Sequence, residues 1–362
     1  MQETLYRRPL PNDSIAFSSN EGREVFAEAL SAGGLAGYFR LAEQFHTQSD
    51  PAFCGLGSLV VALNALGIDP GRLWKGPWRW FSEELLDCCL PLPEVRRSGL
   101  TLSELGCVAR CNGADVEIHY AEESDEASFR RAVADASRGA SVLIAAYDRA
   151  ALGQTGSGHF SPIGGYSASR DLVLVLDVAR FKYPPHWLAA DKLYRAMLPV
   201  DAATGRSRGW LALRAREHGI ALGFSLVCDA AGYGALAELL QSVKRNVLQA
   251  SKLRELAQAM LPLIAHVELR EASAPAHREQ IASARAALRK LPAFAEIEAS
   301  VGSLAAEPTT LLLLAFGDQL PPATEAHRQL FPPSGDEHAA IANEVMNLRA
   351  QLAALWSQAR NA

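Results

Sequence analysis

The chain has 362 residues, 49% hydrophobic and 21% charged, with 35 basic against 40 acidic side chains and a formal net charge of -5. This composition excludes wholesale disorder and allows a sizeable core, and the length points to about two domains. No basic excess exists to draw in nucleic acid or an anionic membrane, and six cysteines, two of them adjacent at Cys88 and Cys89, are too few for a disulfide scaffold.

Reduced thiols fit such a chain better than secretion does. Residues 1–9 lack the layout of a secretory signal, and the longest apolar run, residues 311–316, is far too short to span a bilayer. A cytoplasmic, soluble protein with no nucleic-acid or membrane partner is expected. In chain order, a helix is predicted from Cys54, where Leu56, Leu59, Val60 and Leu63 recur at helical spacing and Gly67 stands near a C-terminal cap. Residues 74–80 read as a loop with a packed cluster of Trp74, Trp78 and Trp80. Helices are expected over 82–89, ending before Pro91, and over 101–111. Residues 141–147 read as a strand, and 159–167 and 172–178 as two strands about a turn at 168–171. Helices first and strands after point to an α+β arrangement.

The chain changes character near residue 220. Before it lie five of the six cysteines and five of the six tryptophans; after it the sequence is rich in Ala, Leu, Glu and Arg at helical periodicity. The division predicted is a domain at 1–220 and a mainly helical domain at 221–362, with the boundary at 216–222. Helices are expected at 233–268, 277–291 and 337–356, with linkers at 272–275 and 332–335. In the last helix Val345, Leu348, Leu352 and Leu355 form an apolar stripe that reads as core, with self-association as the alternative. The chain is expected to be a monomer or a homodimer.

Cys54 opens a predicted helix, where the positive end of the helix dipole and unpaired backbone N–H groups favour a thiolate. His159 begins a strand between glycines, which leave room for a substrate backbone. Asp177 follows five apolar residues on the next strand and is costly to bury without a partner. If the two strands form a hairpin, Asp177 can orient His159, and His159 can activate Cys54. The order Cys, His, Asp is that of papain-like enzymes, and Gln48, six residues before the cysteine, is placed to donate to an oxyanion. The expected fold is therefore papain-like α+β, a helical half plus an antiparallel sheet, followed by the helical domain.

Long strings then resemble one family, the phytochelatin synthases. They are Gln48-Ser-Asp-Pro-Ala-Phe-Cys-Gly-Leu56, Asp69-Pro-Gly-Arg-Leu-Trp-Lys-Gly-Pro-Trp-Arg-Trp-Phe81 and Leu86-Asp-Cys-Cys89, then Gln154-Thr-Gly-Ser-Gly-His-Phe-Ser-Pro-Ile-Gly-Gly-Tyr166 and Leu176-Asp-Val-Ala-Arg-Phe-Lys-Tyr-Pro-Pro-His-Trp187. The likeness is clear over residues 1–220 and weaker beyond, at 308–315 and 344–352. It implies a γ-glutamylcysteine dipeptidyl transpeptidase that takes γ-Glu-Cys from glutathione through a Cys54 acyl-enzyme, releases glycine, and builds phytochelatin oligomers. By the same resemblance Asp201 pairs with the γ-glutamyl ammonium and Arg208 with its carboxylate, while Arg180, Lys182, Tyr183 and Arg149 fall on the acceptor side. Cys88, Cys89, Cys107 and Cys111 coincide with family cysteine positions. The spacing of Cys107 and Cys111 puts both on one helix face, two legs of a soft-metal site at most, and core packing is the favoured reading of most of the four.

No organic cofactor is implied. Cadmium or zinc is expected as activator, carried in as a metal-thiolate of glutathione. The chain departs from its plant relatives in having only Cys228 beyond residue 220, which weighs against a metal sensor there. Two rival readings remain at this level. One is a glutathione hydrolase using the same triad; the other is a thiol-based metal-binding protein, against which the scattered cysteines argue.

Overall fold

The computed structural model describes residues 7–71, 73–215, 223–227, 230–250, 252–271, 275–317, 325–331, 341–342, 344–349 and 351–353. The chain divides into two compact units, one of Met1–Asp69, Trp80–Leu86 and Val95–Gly219, the other of Pro70–Arg79, Asp87–Glu94 and Ile220–Ala362. Two short early segments thus go with the later residues, which a single boundary near 220 does not anticipate.

In the first unit the strands are β1 (Ile15–Ala16), β2 (Ala114–Tyr120), β3 (Val142–Asp148), β4 (Gly158–Ser167), β5 (Leu172–Val175), β6 (His186–Ala189), β7 (Val200–Asp201), β8 (Arg206–Ser207) and β9 (Gly209–Ala215). Seven form one sheet in the order β1-β6-β5-β4-β3-β9-β2, antiparallel at every pairing, and β7 with β8 makes a separate ribbon. The helices in chain order are α1 (Asn20–Ser31), α2 (Tyr38–Gln44), α3 (Cys54–Ala65), α4 (Leu92–Ser98), α5 (Leu102–Cys111), α6 (Glu126–Ser137) and α7 (Ala190–Arg195). α3 packs on β4, β3, α2 and α5, and every residue from Gly55 to Leu63 is buried. It is apolar all round because it is a core helix rather than an amphipathic surface one. The arrangement is α+β.

Several sequence expectations are met closely: α3 starts at Cys54, α5 at Leu102 behind a Thr101–Glu104 capping box, and β3 and β4 fall within one residue of their predicted starts. Others are corrected. The helix expected at 82–89 shrinks to one 3-10 turn, Glu83–Leu85, and Cys89 takes a left-handed backbone at φ 66° that no helix can contain. The strand expected to reach residue 178 ends at Val175, after a register shift between Ile163 and Gly165. The tryptophans are not packed: Trp74, Trp78 and Trp80 are 38%, 70% and 42% exposed. Trp74 N–H donates to Trp78 O at 2.8 Å, closing a tight turn.

The second unit contains α8 (Ala230–Gln249), α9 (Leu253–Ile264), α10 (Pro275–Lys290), α11 (Pro292–Val301), α12 (Ser303–Ala315) and α13 (Glu325–Leu330), with β10 (Phe224–Val227) and β11 (Glu268–Glu271) as an antiparallel pair. Leu240, Met260, Leu288, Ile297, Leu312 and Phe316 lie in its core. The helix expected over 233–268 is cut at Lys252, whose backbone is extended and whose N–H is taken by Glu255 Oε2 at 3.3 Å; its far end is β11 instead. Within 337–356, the described residues 341–342, 344–349 and 351–353 are helical. Leu348 and Leu352 are buried in the core with Val345 packed against it; Leu355, Cys228 and the linkers at 272–274 and 332–335 lie outside the described residues. Among the described residues no helix is long and apolar enough to cross a membrane.

Candidate active site

The loop before α3 is tied down residue by residue. Gln48 N–H donates to Val178 O at 3.0 Å, and Ser49 N–H donates to both Glu83 carboxylate oxygens at 3.2 and 3.1 Å, with the Ser49 hydroxyl on the same carboxylate. Ala52 N–H donates to Asp50 Oδ1 at 3.0 Å. Gly57 permits this closeness, because a Cβ there would sit 3.0 Å from Glu83 Oε1 and 3.2 Å from Gln48 Cβ. Cys54 is thereby held at the first position of α3, where the leading N–H groups have no intrahelical acceptor. Gln48 is not placed as expected: its Nε2 donates to Asp50 O at 2.7 Å and to Pro51 O at 2.9 Å, so the amide is engaged within the loop. The N–H groups at the start of α3 are the available oxyanion donors.

The sheet supplies the other two groups. His159, on β4, stands opposite Tyr147 of β3, and Asp177 lies two residues past the end of β5, the other neighbour of β4. His159 Nε2 donates to Asp177 Oδ1 at 2.9 Å, which leaves Nδ1 for Cys54, and the charge of the imidazole acts on the thiol. Asp177 is fully buried. Its charge is met by His159, by Ala179 N–H at 2.9 Å and by Arg149 Nη2, 3.0 and 2.8 Å from its two oxygens.

The electrostatics follow from these contacts. Burial pushes the Cys54 thiol up, but the His159 charge and hydrogen bond, the Phe160 backbone N–H and the Arg149 charge together bring it below its ordinary value. Burial pushes His159 down, but the charge and hydrogen bond of Asp177 and the Cys54 charge together raise its pKa, with Arg149 opposing. Burial disfavours the Asp177 carboxylate, yet His159 and Arg149 hold it well below the usual range. A thiolate beside an imidazolium is the state these shifts favour.

A cavity of about 340 Å³ opens on Cys54 and His159, and Asp201 and Arg208 line it too. Asp201 sits on β7, where its Oδ1 accepts Ala203 N–H at 3.1 Å, and Arg208 follows β8, anchored through Nη1 to Pro199 O at 2.8 Å. Arg97, Tyr120, Thr204 and Ser207 also line it, and no motif marked them. The four acceptor-side candidates are not in this lining. Arg149 is buried on Asp177 and cannot meet a ligand's carboxylate without abandoning it. The buried Tyr183 uses its hydroxyl on Thr155 N–H, 2.8 Å, while Lys182 Nζ donates to Thr155 O at 2.6 Å. Arg180 lies over the Phe45 ring, 4.8 Å from its centroid. Cys88, Cys89, Cys107 and Cys111 are all buried, Cys107 and Cys111 one turn apart on α5, and Cys89 N–H donates to Leu226 O at 3.1 Å. Sequence reasoning also missed Gln154 and His186, although both stand in the strings quoted above. They complete the surroundings of Arg149, whose Nη1 donates to Gln154 Oε1 at 2.5 Å, with Gln154 Nε2 3.3 Å from His186 Nε2.

Comparison with known proteins gives a consistent result. The family model described as phytochelatin synthase matches residues 5–210. Glutathione gamma-glutamylcysteinyltransferase 3 of Lotus japonicus is 45% identical over 258 residues, 71% of this chain and 54% of that protein. Glutathione gamma-glutamylcysteinyltransferase 1 of Arabidopsis thaliana is 48% identical over 240 residues, 66% and 50% of the two chains. The Schizosaccharomyces pombe glutathione gamma-glutamylcysteinyltransferase is 45% identical over 214 residues, 59% and 52% of the two chains. The chain spans about half the length of these relatives.

Proposed function

The chain belongs to the phytochelatin synthase family, and on that premise we propose that it is a γ-glutamylcysteine dipeptidyl transpeptidase acting on glutathione. The observation that carries this reading is that Cys54 and His159 share the wall of a cavity that also holds Asp201 and Arg208, with Asp177 hydrogen-bonded behind the histidine. The arrangement reads as papain-like: a cysteine at a helix start facing a histidine on an antiparallel sheet.

In the first half-reaction the Cys54 thiolate attacks the carbonyl carbon of the Cys–Gly bond. The oxyanion is met by N–H groups at the start of α3. The C–N bond breaks, His159 gives its proton to the departing glycine nitrogen, and a γ-Glu-Cys thioester remains on Cys54. In the second half-reaction the α-amino group of another glutathione, or of a growing oligomer, attacks that thioester. Neutral His159 takes the proton and Cys54 leaves as thiolate. Asp177 stays ionised throughout and holds the ring. Asp201 and Arg208 suit the α-ammonium and α-carboxylate of the γ-glutamyl end, the latter through a planar fork. Cadmium or zinc enters as part of the acceptor, bound to glutathione thiolates, and a reducing cytoplasm suits both thiol enzyme and thiol substrate. All of this chemistry is assigned to the first unit.

Mass spectrometry of the products from full-length protein and glutathione, with and without cadmium, tests the reading. Peptides growing in γ-Glu-Cys steps, dependent on the metal, are expected. Free γ-Glu-Cys and glycine alone, indifferent to metal, would make the protein a hydrolase on the same triad. Many tightly bound ions without turnover would make it a metal-binding protein.

A further inference from the structure

The triad does not end at Asp177. We propose that Arg149, Gln154 and His186 are positioning residues that lock Asp177 and set the pH range in which the Cys54–His159 pair works. The proposal rests on the transpeptidase reading's assignment of the triad, and goes beyond it by giving three residues outside the triad a defined task.

The array has one polarity, and each link dictates the next. His186 is fully buried, with Nδ1 3.0 Å from Pro184 O. A carbonyl only accepts, so the proton is on Nδ1. Burial depresses the His186 pKa, which favours the neutral ring. Its Nε2 lone pair therefore accepts from Gln154 Nε2, 3.3 Å away. That orients the Gln154 amide with Oε1 towards Arg149 Nη1, at 2.5 Å. Arg149, so held, presents Nη2 to both Asp177 oxygens. Asp177 Oδ1 then takes the His159 N–H, and the imidazole faces Cys54. Gln154, Arg149, His159 and Asp177 are each at most 5% exposed, so these bonds do not compete with water.

The fixed guanidinium also acts at a distance. Arg149 is faced by Asp177, Tyr147, Cys54 and Lys182; His159 by Asp177, Arg149 and Cys54, with the Tyr147 ring edge 5.7 Å away; His186 by Asp177, Arg149 and His159. In this setting the Arg149 charge favours the Cys54 thiolate and restrains the rise that Asp177 causes in His159. A substrate-binding arginine would reach into the cavity with spare donors. This one is turned to the carboxylate, with its second nitrogen on Gln154.

The test needs no glutathione for its first readout. The rate of Cys54 alkylation by iodoacetamide, read at that residue by peptide mass spectrometry in the full-length protein, is followed against pH. Single-turnover glycine release from glutathione is the second readout. Arg149→Met is expected to move the acidic limb of alkylation up by about one pH unit, the low end of what a nearby charge does. Arg149→Lys, which keeps the charge, restores most of that limb. Gln154→Leu keeps the limb in place but slows glycine release about tenfold, the usual scale for a lost supporting hydrogen bond. If Arg149→Met does not fold, Gln154→Glu takes its part, because a carboxylate on Arg149 weakens its field at Cys54 and moves the limb the same way. An unmoved limb in the folded charge variants, or wild-type glycine release in Gln154→Leu, overturns the proposal. A wild-type Cys54 that alkylates as an ordinary thiol sinks the triad reading itself, and is distinguishable because it needs no variant.

Discussion

Both units bury polar side chains, and they use them differently. In the first, Glu83 and Gln48 bond the backbone, but one buried set runs to the wall of a cavity: His186, Gln154, Arg149, Asp177 and His159, beside Cys54. In the second, such side chains end on backbone. Glu344 takes the N–H groups of Gly223 and Phe224 at 2.7 and 3.2 Å, Gln351 takes Leu226 N–H at 2.6 Å, and Asn347 donates to Phe224 O at 3.0 Å. Those three residues are spaced three and four apart, one face of a helix, and with Cys89 N–H on Leu226 O they satisfy one side of β10. A buried polar side chain that closes on a strand edge is structural. One that passes its hydrogen bond on towards a solvent cavity is placed for chemistry.

The sharpest way to break that contrast is at the cavity end of the buried set. Cys54→Ser is expected to abolish the thioester, seen as loss of the γ-Glu-Cys mass adduct on the intact protein. Asp177→Ala should cost about 10³- to 10⁴-fold in single-turnover glycine release. The loss would come with little change in glutathione binding, because the carboxylate touches His159 and not the cavity. Retained adduct in Cys54→Ser would falsify the nucleophile assignment. One step down in size, Asp201→Asn and Arg208→Gln each remove a charge-assisted contact to the donor. Each should raise the glutathione KM about 10- to 100-fold, while iodoacetamide alkylation of Cys54 stays at the wild-type rate. If alkylation falls as well, the two residues belong to the buried set and not to the substrate end.

What was legible in the sequence divides along the same line. The start of α3 at Cys54 and the hairpin that brings His159 to Asp177 were readable, because a buried helix and two strands leave local patterns. The division of labour around Asp177 was not. Arg149, Lys182, Tyr183 and Arg180 all carry groups suited to a carboxylate, and only the fold decides that Arg149 is spent on Asp177 and Tyr183 on Thr155. Gln48 shows the same limit. Its position before the cysteine was clear, but the turn that makes its amide bond Asp50 and Pro51 is a matter of three-dimensional closeness. In the second unit helical periodicity runs on from 233 to 268, and it does not register that Lys252 is extended or that 268–271 pairs with 224–227. Nor does it mark α11 and α12, which carry Pro292 at a first turn and Pro308 inside.

The smallest expected effect lies in the second unit and tests the other half of the contrast. Glu344→Gln keeps the shape and one acceptor oxygen but removes the charge that receives Gly223 and Phe224. With its oxygen at the Oε1 position the amide still serves Gly223 N–H and the Gln280 amide, and its new NH2 then faces the Phe224 N–H. A donor set against a donor in a buried site should cost about 1–3 kcal/mol of stability, read as an earlier denaturant midpoint at unchanged slope. The rate of glycine release per folded molecule should not move, because none of these bonds leads to the cavity. If that rate falls while the stability is kept, the side chain is connected to the chemistry, and the rule separating the two kinds of buried polar group fails for this protein.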